Sequence, residues 1–356
     1  MKKNVHTAGK SRKQKKIMLL LLELLIILLL AIALFITTKL SKIEKNKLDM
    51  NDVSINDDLS DETKEAMAHY KTIALFGLDN RSNGSLSQGN SDVIMLANID
   101  TKQHTINLVS VYRDSYLDTG NGTYQKCNAA YAKGGPEQAL SMLNTNLDLA
   151  ITDYVTVDFN AIIECVDLLG GVDITITDDE ASLMIGYMKE LNELTGHNST
   201  PPASGGTYTL DGVQACAYAR IRYGGGGDDY RRTERQRTVL TAMMQKAQKS
   251  NILTLNKLIN AAFGDIQTSF SNTDLLALAT KVFSYDIGDT TGFPYEKTTH
   301  KYDKIGDVVI PCDLASNVTQ LHQFLFNDEN YTPSATVLSN SQQIISNTGY
   351  KQGDGH

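Results

Sequence analysis

The sequence predicts an α/β protein, a layered α-β-α domain with a central mixed sheet, preceded by one transmembrane helix. Three observations predict it. From residue 70 onward, short apolar runs of strand character alternate with stretches of helical periodicity, a pattern that places helices against a sheet. Residues 17–36 are apolar for twenty positions, broken only by Glu23. A helix of that length matches a hydrocarbon core of roughly 30 Å. Charge is also divided: residues 1–50 carry a net +8, and the remainder carries −16. A body that acidic does not bind nucleic acid through bulk charge.

Taken in order, residues 1–16 form a basic tail holding seven Lys/Arg, and residues 17–36 form the anchor. Ala31-Ile-Ala33 has the form of a signal-peptide cleavage site, but the apolar run continues through Leu34, Phe35 and Ile36, which favours an uncleaved span. The basic bias before the span points the N-terminus into the cytoplasm and the body outside the cell membrane. Residues 37–68 are charged and read as a juxtamembrane linker, and residues 69–332 as the folded domain. Strands are predicted over 71–77, 93–99 and 104–111, the last delivering Tyr112-Arg113-Asp114. A helix over 136–147 follows the hinge Gly134-Gly135, and a strand covers 154–157. Asp158 caps a helix over 159–169, closed by Gly170-Gly171 before a strand at 172–176. A helix over 178–194, a polar loop at 197–206 and the capping box Asp211/Gln214 come next. Helices near 251–262 and 273–283 and a strand at 308–311 complete the domain. Residues 333–356 read as a polar tail with a frayed end. The four cysteines lack metal-ligand spacing and read as mostly buried thiols, a single bridge remaining open.

The chemistry concentrates in residues 218–237, with six arginines and two adjacent aspartates around Gly224–Gly227. Four glycines sustain neither helix nor strand, so the chain turns there. Arg220 and Arg222 share a face if their segment is extended. Beyond the turn, Asp228 or Asp229 can cap a helix on which Arg232, Gln236 and Val239 lie on one side. Paired guanidinium groups suit a multiply charged anion; the alternative is a solvated helix laced with Glu–Arg pairs. Asp79 and Asp92 stand at predicted strand ends, where two carboxylates suit magnesium, although loop aspartates also serve as turn formers. Together with Arg113-Asp114, these groups suit a pyrophosphate.

The motifs Leu75-Phe-Gly-Leu-Asp79, Ser91-Asp92, Val109-Ser-Val-Tyr-Arg-Asp114, Asn128-Ala-Ala-Tyr-Ala-Lys-Gly-Gly-Pro136, Asp167-Leu-Leu-Gly-Gly-Val172, Ala217-Tyr-Ala-Arg-Ile-Arg222 and Asp229-Tyr-Arg-Arg-Thr-Glu-Arg-Gln236 resemble the LytR–CpsA–Psr cell-wall ligases over residues 70–330. The resemblance implies a phosphotransferase that takes a glycopolymer, such as a teichoic acid or capsular polysaccharide, from undecaprenyl pyrophosphate and joins it to peptidoglycan with Mg2+. Carried over by position, it implies Asp79 and Asp92 as metal ligands. It implies Arg113, Arg220, Arg222, Arg232 and Gln236 as pyrophosphate binders, with Asp229 orienting the arginines. Asp114, Asp229 and Asp92 stay open as the general base. Many members carry an arginine where this chain has Asn90, and Arg81 is expected to replace it. A carrier-lipid binding protein and a pyrophosphate hydrolase are the competing readings.

Overall fold

The computed structural model describes residues 44–45, 52–78, 86, 89–222, 229–251, 253–254, 257–258, 266–271, 274 and 284–356. The expected membrane span, Asp79, Arg81 and the four glycines of the arginine turn lie outside them. Among the described residues no helix is long and apolar enough to cross a membrane.

After the short strand β1 (Glu44–Lys45), Val53 and Leu59 are buried, and Ser60 caps α1 (Asp61–Ala68) by accepting from the Thr63 amide. Residues 52–68 therefore belong to the folded body and are not a free linker. Their charged composition hides two apolar anchors. Next come β2 (Tyr70–Leu78), β3 (Ser91–Asp100), β4 (Thr105–Val111) and the hairpin β5 (Tyr116–Asp118) and β6 (Tyr124–Lys126). Helix α2 (Ala129–Leu147) starts earlier than predicted and breaks at Gly134 and Gly135, the expected hinge. Strand β7 (Asp153–Asp158) leads into α3 (Phe159–Leu168), where Asp158 Oδ1 accepts from the Ala161 amide at 2.9 Å. Then follow β8 (Val172–Ile176), α4 (Asp178–Thr195), β9 (Gly206–Leu210) and α5 (Gly212–Arg220), with the Asp211/Gln214 box formed. Helix α6 (Asp229–Gln248) precedes β10 (Ile266–Thr268), β11 (Asp286–Phe293), β12 (Lys297–Tyr302), β13 (Gly306–Pro311), α7 (Leu314–Phe326) and α8 (Ala335–Thr348).

The architecture is mixed α/β around one mixed sheet, ordered β1-β10-β7-β2-β3-β4-β11. Pairs β2–β7 and β4–β11 are parallel, whereas β2–β3 and β3–β4 are antiparallel. One face packs Phe76, Leu96 and Val109 against Leu140 and Leu143 of α2, with Val318 of α7 and Ile344 of α8 in the same core. On the other face, Met95, Ala97 and Leu108 meet Leu240 of α6. Helices α3 to α6 and the β8–β9 hairpin share a second core. None of the four cysteines is in a disulfide.

The C-terminal segment is not frayed. Val337, Asn340, Ser341 and Ile344 are buried along α8. Buried Asp148, in the left-handed region at the end of α2, fastens the segment before α1 and the segment leading into α8. Its Oδ1 accepts from Asn56 Nδ2 at 2.5 Å and Ser334 Oγ at 2.7 Å, and its Oδ2 accepts from the Ser334 amide at 2.8 Å and the Tyr331 hydroxyl. Composition misleads here because the Ser and Asn residues are polar partners for a buried carboxylate.

His322 lies flat on Tyr331, ring centroids 3.7 Å apart, with Nε2 3.0 Å from the Leu147 carbonyl oxygen. Nε2–H donates to that carbonyl, which leaves Nδ1 unprotonated, buried and without a hydrogen-bond partner. Burial lowers the His322 pKa from 6.5 to about 4. The stability carried by the neutral ring is complete above pH 6.5 and lost as pH falls towards 4. His322→Phe should remove roughly 2–3 kcal/mol of the acid loss of unfolding free energy between about pH 7.5 and about pH 4.5, measured by urea titration.

Candidate active site

Strand directions bring the ends of β2, β4, β7 and β11 to one edge of the sheet, where β3 begins. Loops at such carboxyl ends gather side chains from distant parts of a chain. Arg113 emerges two residues beyond β4 and Asp92 is the second residue of β3. Arg113 Nη1 donates to Asp92 Oδ1 at 2.6 Å. Its Nε lies 3.5 Å from Asp114 Oδ2 and 3.7 Å from Asp229 Oδ1. Arg232, one turn along α6, pairs with Asp229 through Nη2, which also donates to the Asp92 carbonyl oxygen at 3.4 Å. Lys126 Nζ closes the cluster on Asp114 Oδ1 at 2.9 Å.

Electrostatics follow from this packing. Burial disfavours the Arg113 cation, but Asp92, Asp114 and Asp229 outweigh it, so its pKa rises above the ordinary value. Arg232 is held below its ordinary value, chiefly by burial. Burial likewise raises the Asp229 pKa against the opposing pull of Arg232. Asp229 Oδ2 is buried without a hydrogen-bond partner. Among the described residues, three carboxylates face three cations, so this part of the cluster is formally neutral. A diphosphate arriving there meets little net positive charge from the cluster itself. Among the described residues no three carboxylate, thiol or imidazole side chains group to hold a metal ion; Asp92 is the described member of the expected pair, and its oxygens are hard donors of the kind a divalent cation takes.

Beside the cluster lies a cavity of about 520 Å³. Its floor is the sheet at Leu75, Gly77, Val93 and Met95, and its walls include Phe159 and Ile162 of α3 and Ala219 of α5. Helix α6 contributes Arg232, Gln236, Val239, Leu240 and Met243, the face its helical spacing predicts. Glycine is required at 77, where a Cβ would lie 2.8 Å from that of Val93. At 212, a Cβ would lie 2.2 Å from the Ile163 carbonyl oxygen, so glycine there lets α5 approach the α3 backbone closely. That approach sets the position of Arg220 at the end of α5.

Arg220 and Arg222 both line the cavity, but not on an extended strand. Arg220 is helical, and Ile221 turns to φ −53° and ψ 132° and buries its side chain. Arg220 Nη2 is 3.6 Å from Glu190 Oε1, and the Arg222 amide donates to the Tyr187 hydroxyl at 3.1 Å. Arg235 belongs to the scaffold: its Nε donates to Glu180 Oε1 at 2.7 Å, away from the cavity. Of the predicted site residues, Asp92, Arg113, Arg220, Arg222, Arg232 and Gln236 line one cavity, and Asp229 backs it. Asp79 and Arg81 lie outside the described residues. Asn90 is exposed. Sequence reasoning missed Tyr187, Glu190 and Lys126. The first two sit on an amphipathic helix whose partner is visible only in three dimensions, and Lys126 carries no local signal.

The LytR_cpsA_psr family profile matches residues 31–303. The chain belongs to that family. It is 30% identical over 210 residues to the polyisoprenyl-teichoic acid–peptidoglycan teichoic acid transferase TagU of Enterococcus faecalis, covering 58% of this chain and 64% of that protein. It spans 48% of a similar transferase, TagV of Bacillus subtilis, so about half to two thirds of these curated relatives is matched. Among solved structures, protein gbs0355 of Streptococcus agalactiae is similar at 25% identity and TM-score 0.61, covering 78% of this chain and 94% of that one. The family protein YwtF (TagT) with bound octaprenyl pyrophosphate lipid shares the fold at 22% identity and TM-score 0.55, covering 79% and 99%.

The arginines separate by experiment. Arg235→Met strands buried Glu180 and should lower unfolding free energy by about 3 kcal/mol, with part regained on adding Glu180→Gln. Arg222→Ala, at an exposed position, should stay within about 0.5 kcal/mol of the parent in the same denaturant titration.

Proposed function

We propose that this member of the LytR–CpsA–Psr family is a membrane-anchored phosphotransferase acting on a polyprenyl-diphosphate glycopolymer. The observation that carries this reading is the junction of an apolar cavity with a guanidinium-lined mouth. A prenyl chain suits the apolar walls, and a diphosphate suits Arg113, Arg220, Arg222 and Arg232 at the polar end. The name of the Enterococcus faecalis relative and the lipid bound to TagT support the same substrate class.

In the reaction, an acceptor hydroxyl of peptidoglycan attacks the phosphorus that bears the glycopolymer. A new P–O bond forms as the bond to the bridging oxygen breaks, and polyprenyl monophosphate departs. The hydroxyl proton passes to a carboxylate, for which Asp92, Asp114 and Asp229 are the candidates. Arg113 and Arg232, held by their aspartates, present donors to the equatorial oxygens and keep donor and acceptor in line. Asp92 with Asp79 would hold Mg2+, which supplies charge neutralisation at the phosphates when bound. Arg81 replaces the arginine that Asn90 lacks. Residues 17–36 form the span, with residues 1–16 inside and the domain outside the bacterial cell membrane.

The test is incubation of the full chain with labelled lipid-diphosphate saccharide and Mg2+, with and without peptidoglycan fragments. Label joined to the fragment supports transfer. Free sugar phosphate would establish hydrolysis, and intact bound donor would establish a carrier-binding protein. Asp92→Asn should reduce turnover by roughly 10²-fold or more while donor binding changes little. Ala219→Phe fills the cavity wall and should weaken prenyl-diphosphate binding about tenfold, read by titration calorimetry.

A further inference from the structure

Lys126 leads away from the arginine–aspartate cluster on a side that the cavity does not use. Among the described residues, none from β5, β6, β12 or β13 lines that cavity. Lys126 reaches Asp114, and the β12–β13 turn borders Lys126: a Cβ on Gly306 would lie 3.8 Å from its Nζ. Gly306 pairs with Tyr302, so no side chain from the opposite residue covers the Tyr302 ring.

From this point a line of rings begins. Buried Tyr116 stacks under Tyr302, with centroids 5.8 Å apart and planes at 25°. The Tyr302 ring meets His300 at 4.5 Å, and His300 meets Tyr350 at 6.1 Å. Tyr302 and Tyr350 are half-buried, and His300 is exposed. The turn beside them carries Lys301, Asp303, Lys304 and Asp307, all exposed and of cancelling charge.

We infer that Tyr302, His300 and Tyr350 form the seat for the acceptor glycan strand, which runs past Lys126 to the Asp114–Arg113 pair. A pyranose ring has a C–H face and hydroxyl edges. Flat rings with polar tips match it, as they match other partly wet surfaces. The cancelling charges do not select a polyanion, which favours the acceptor strand over a polyanionic glycopolymer such as a teichoic acid. Continuity through Lys126 ties the seat to the reacting end of the site. This inference rests on the phosphotransferase reading.

The probe is soluble, uncrosslinked peptidoglycan strands titrated into the full chain in detergent, with donor binding measured separately. Tyr302→Leu keeps apolar volume over Tyr116 but removes the flat face; His300→Ala alters an exposed side chain and leaves the core alone. Each should weaken strand binding about tenfold and raise the acceptor KM of transfer to match, with donor affinity unchanged. Tyr302→Phe, which keeps the flat face and loses only the polar tip, should bind strands more tightly than Tyr302→Leu. Strand binding unchanged in His300→Ala and Tyr302→Leu overturns the seat, as does a parent protein that binds donor but no strands. A parent that binds strands through these rings but no donor sustains the seat and removes the transferase reading beneath it.

Discussion

Arg113 is held by three carboxylates at the carboxyl edge of the sheet, and the site depends on that arrangement. The partners come from β3, from the residue after Arg113, and from the start of α6, so one guanidinium joins three parts of the chain. Desolvation alone would make a buried arginine costly; paired on several sides, it stays charged. The same pairing fixes the planar fork in one orientation before an anion arrives. Preorganised donors act on developing charge without reorganising, which is the property phosphoryl transfer requires of a protein.

Helix α6 is the element that makes the constraint useful. Its first turn supplies Asp229 and Arg232 to the cluster, and Gln236, Val239, Leu240 and Met243 continue along the same stripe into the cavity wall. Polar and apolar demands are thus met by one helix face read from its N-terminus inward. Arg235, on another side, is tied to Glu180 of α4, whose other oxygen accepts from the Thr177 amide. That ion pair secures α6 against α4 and so maintains the width of the cavity between them.

Much of this was legible in the sequence, for local reasons. The run of Arg232, Gln236 and Val239 at helical spacing foretold a shared face, and all three line the cavity. Asp158 and the Asp211/Gln214 box marked helix starts because capping depends on neighbouring residues alone. The misses arose where distant partners reverse a local signal. Asn56 and Ser334 look like solvated positions until buried Asp148 is placed between them. Lys126 carries no local signal until Asp114 is placed beside it. Strand β11 was not anticipated, since exposed Asp286 and Asp289 and two glycines mask its parallel pairing with β4.

Charge balance explains why so many arginines are needed. Asp92, Asp114 and Asp229 consume the charge of Arg113, Arg232 and Lys126, leaving a rigid frame of no net sign. Among the described residues lining the cavity, Arg220 and Arg222 then supply the attraction for an anion, and Arg220 is itself drawn towards Glu190 at 3.6 Å. In the proposed transferase a divalent cation adds the charge that the frame lacks. The division separates two tasks that conflict within a single residue. Arginines locked by aspartates give geometry, while the less buried pair at the cavity mouth gives electrostatic pull. A site built only from the first kind would be well ordered but attract its anion weakly. Built only from the second, it would attract the anion without aligning it.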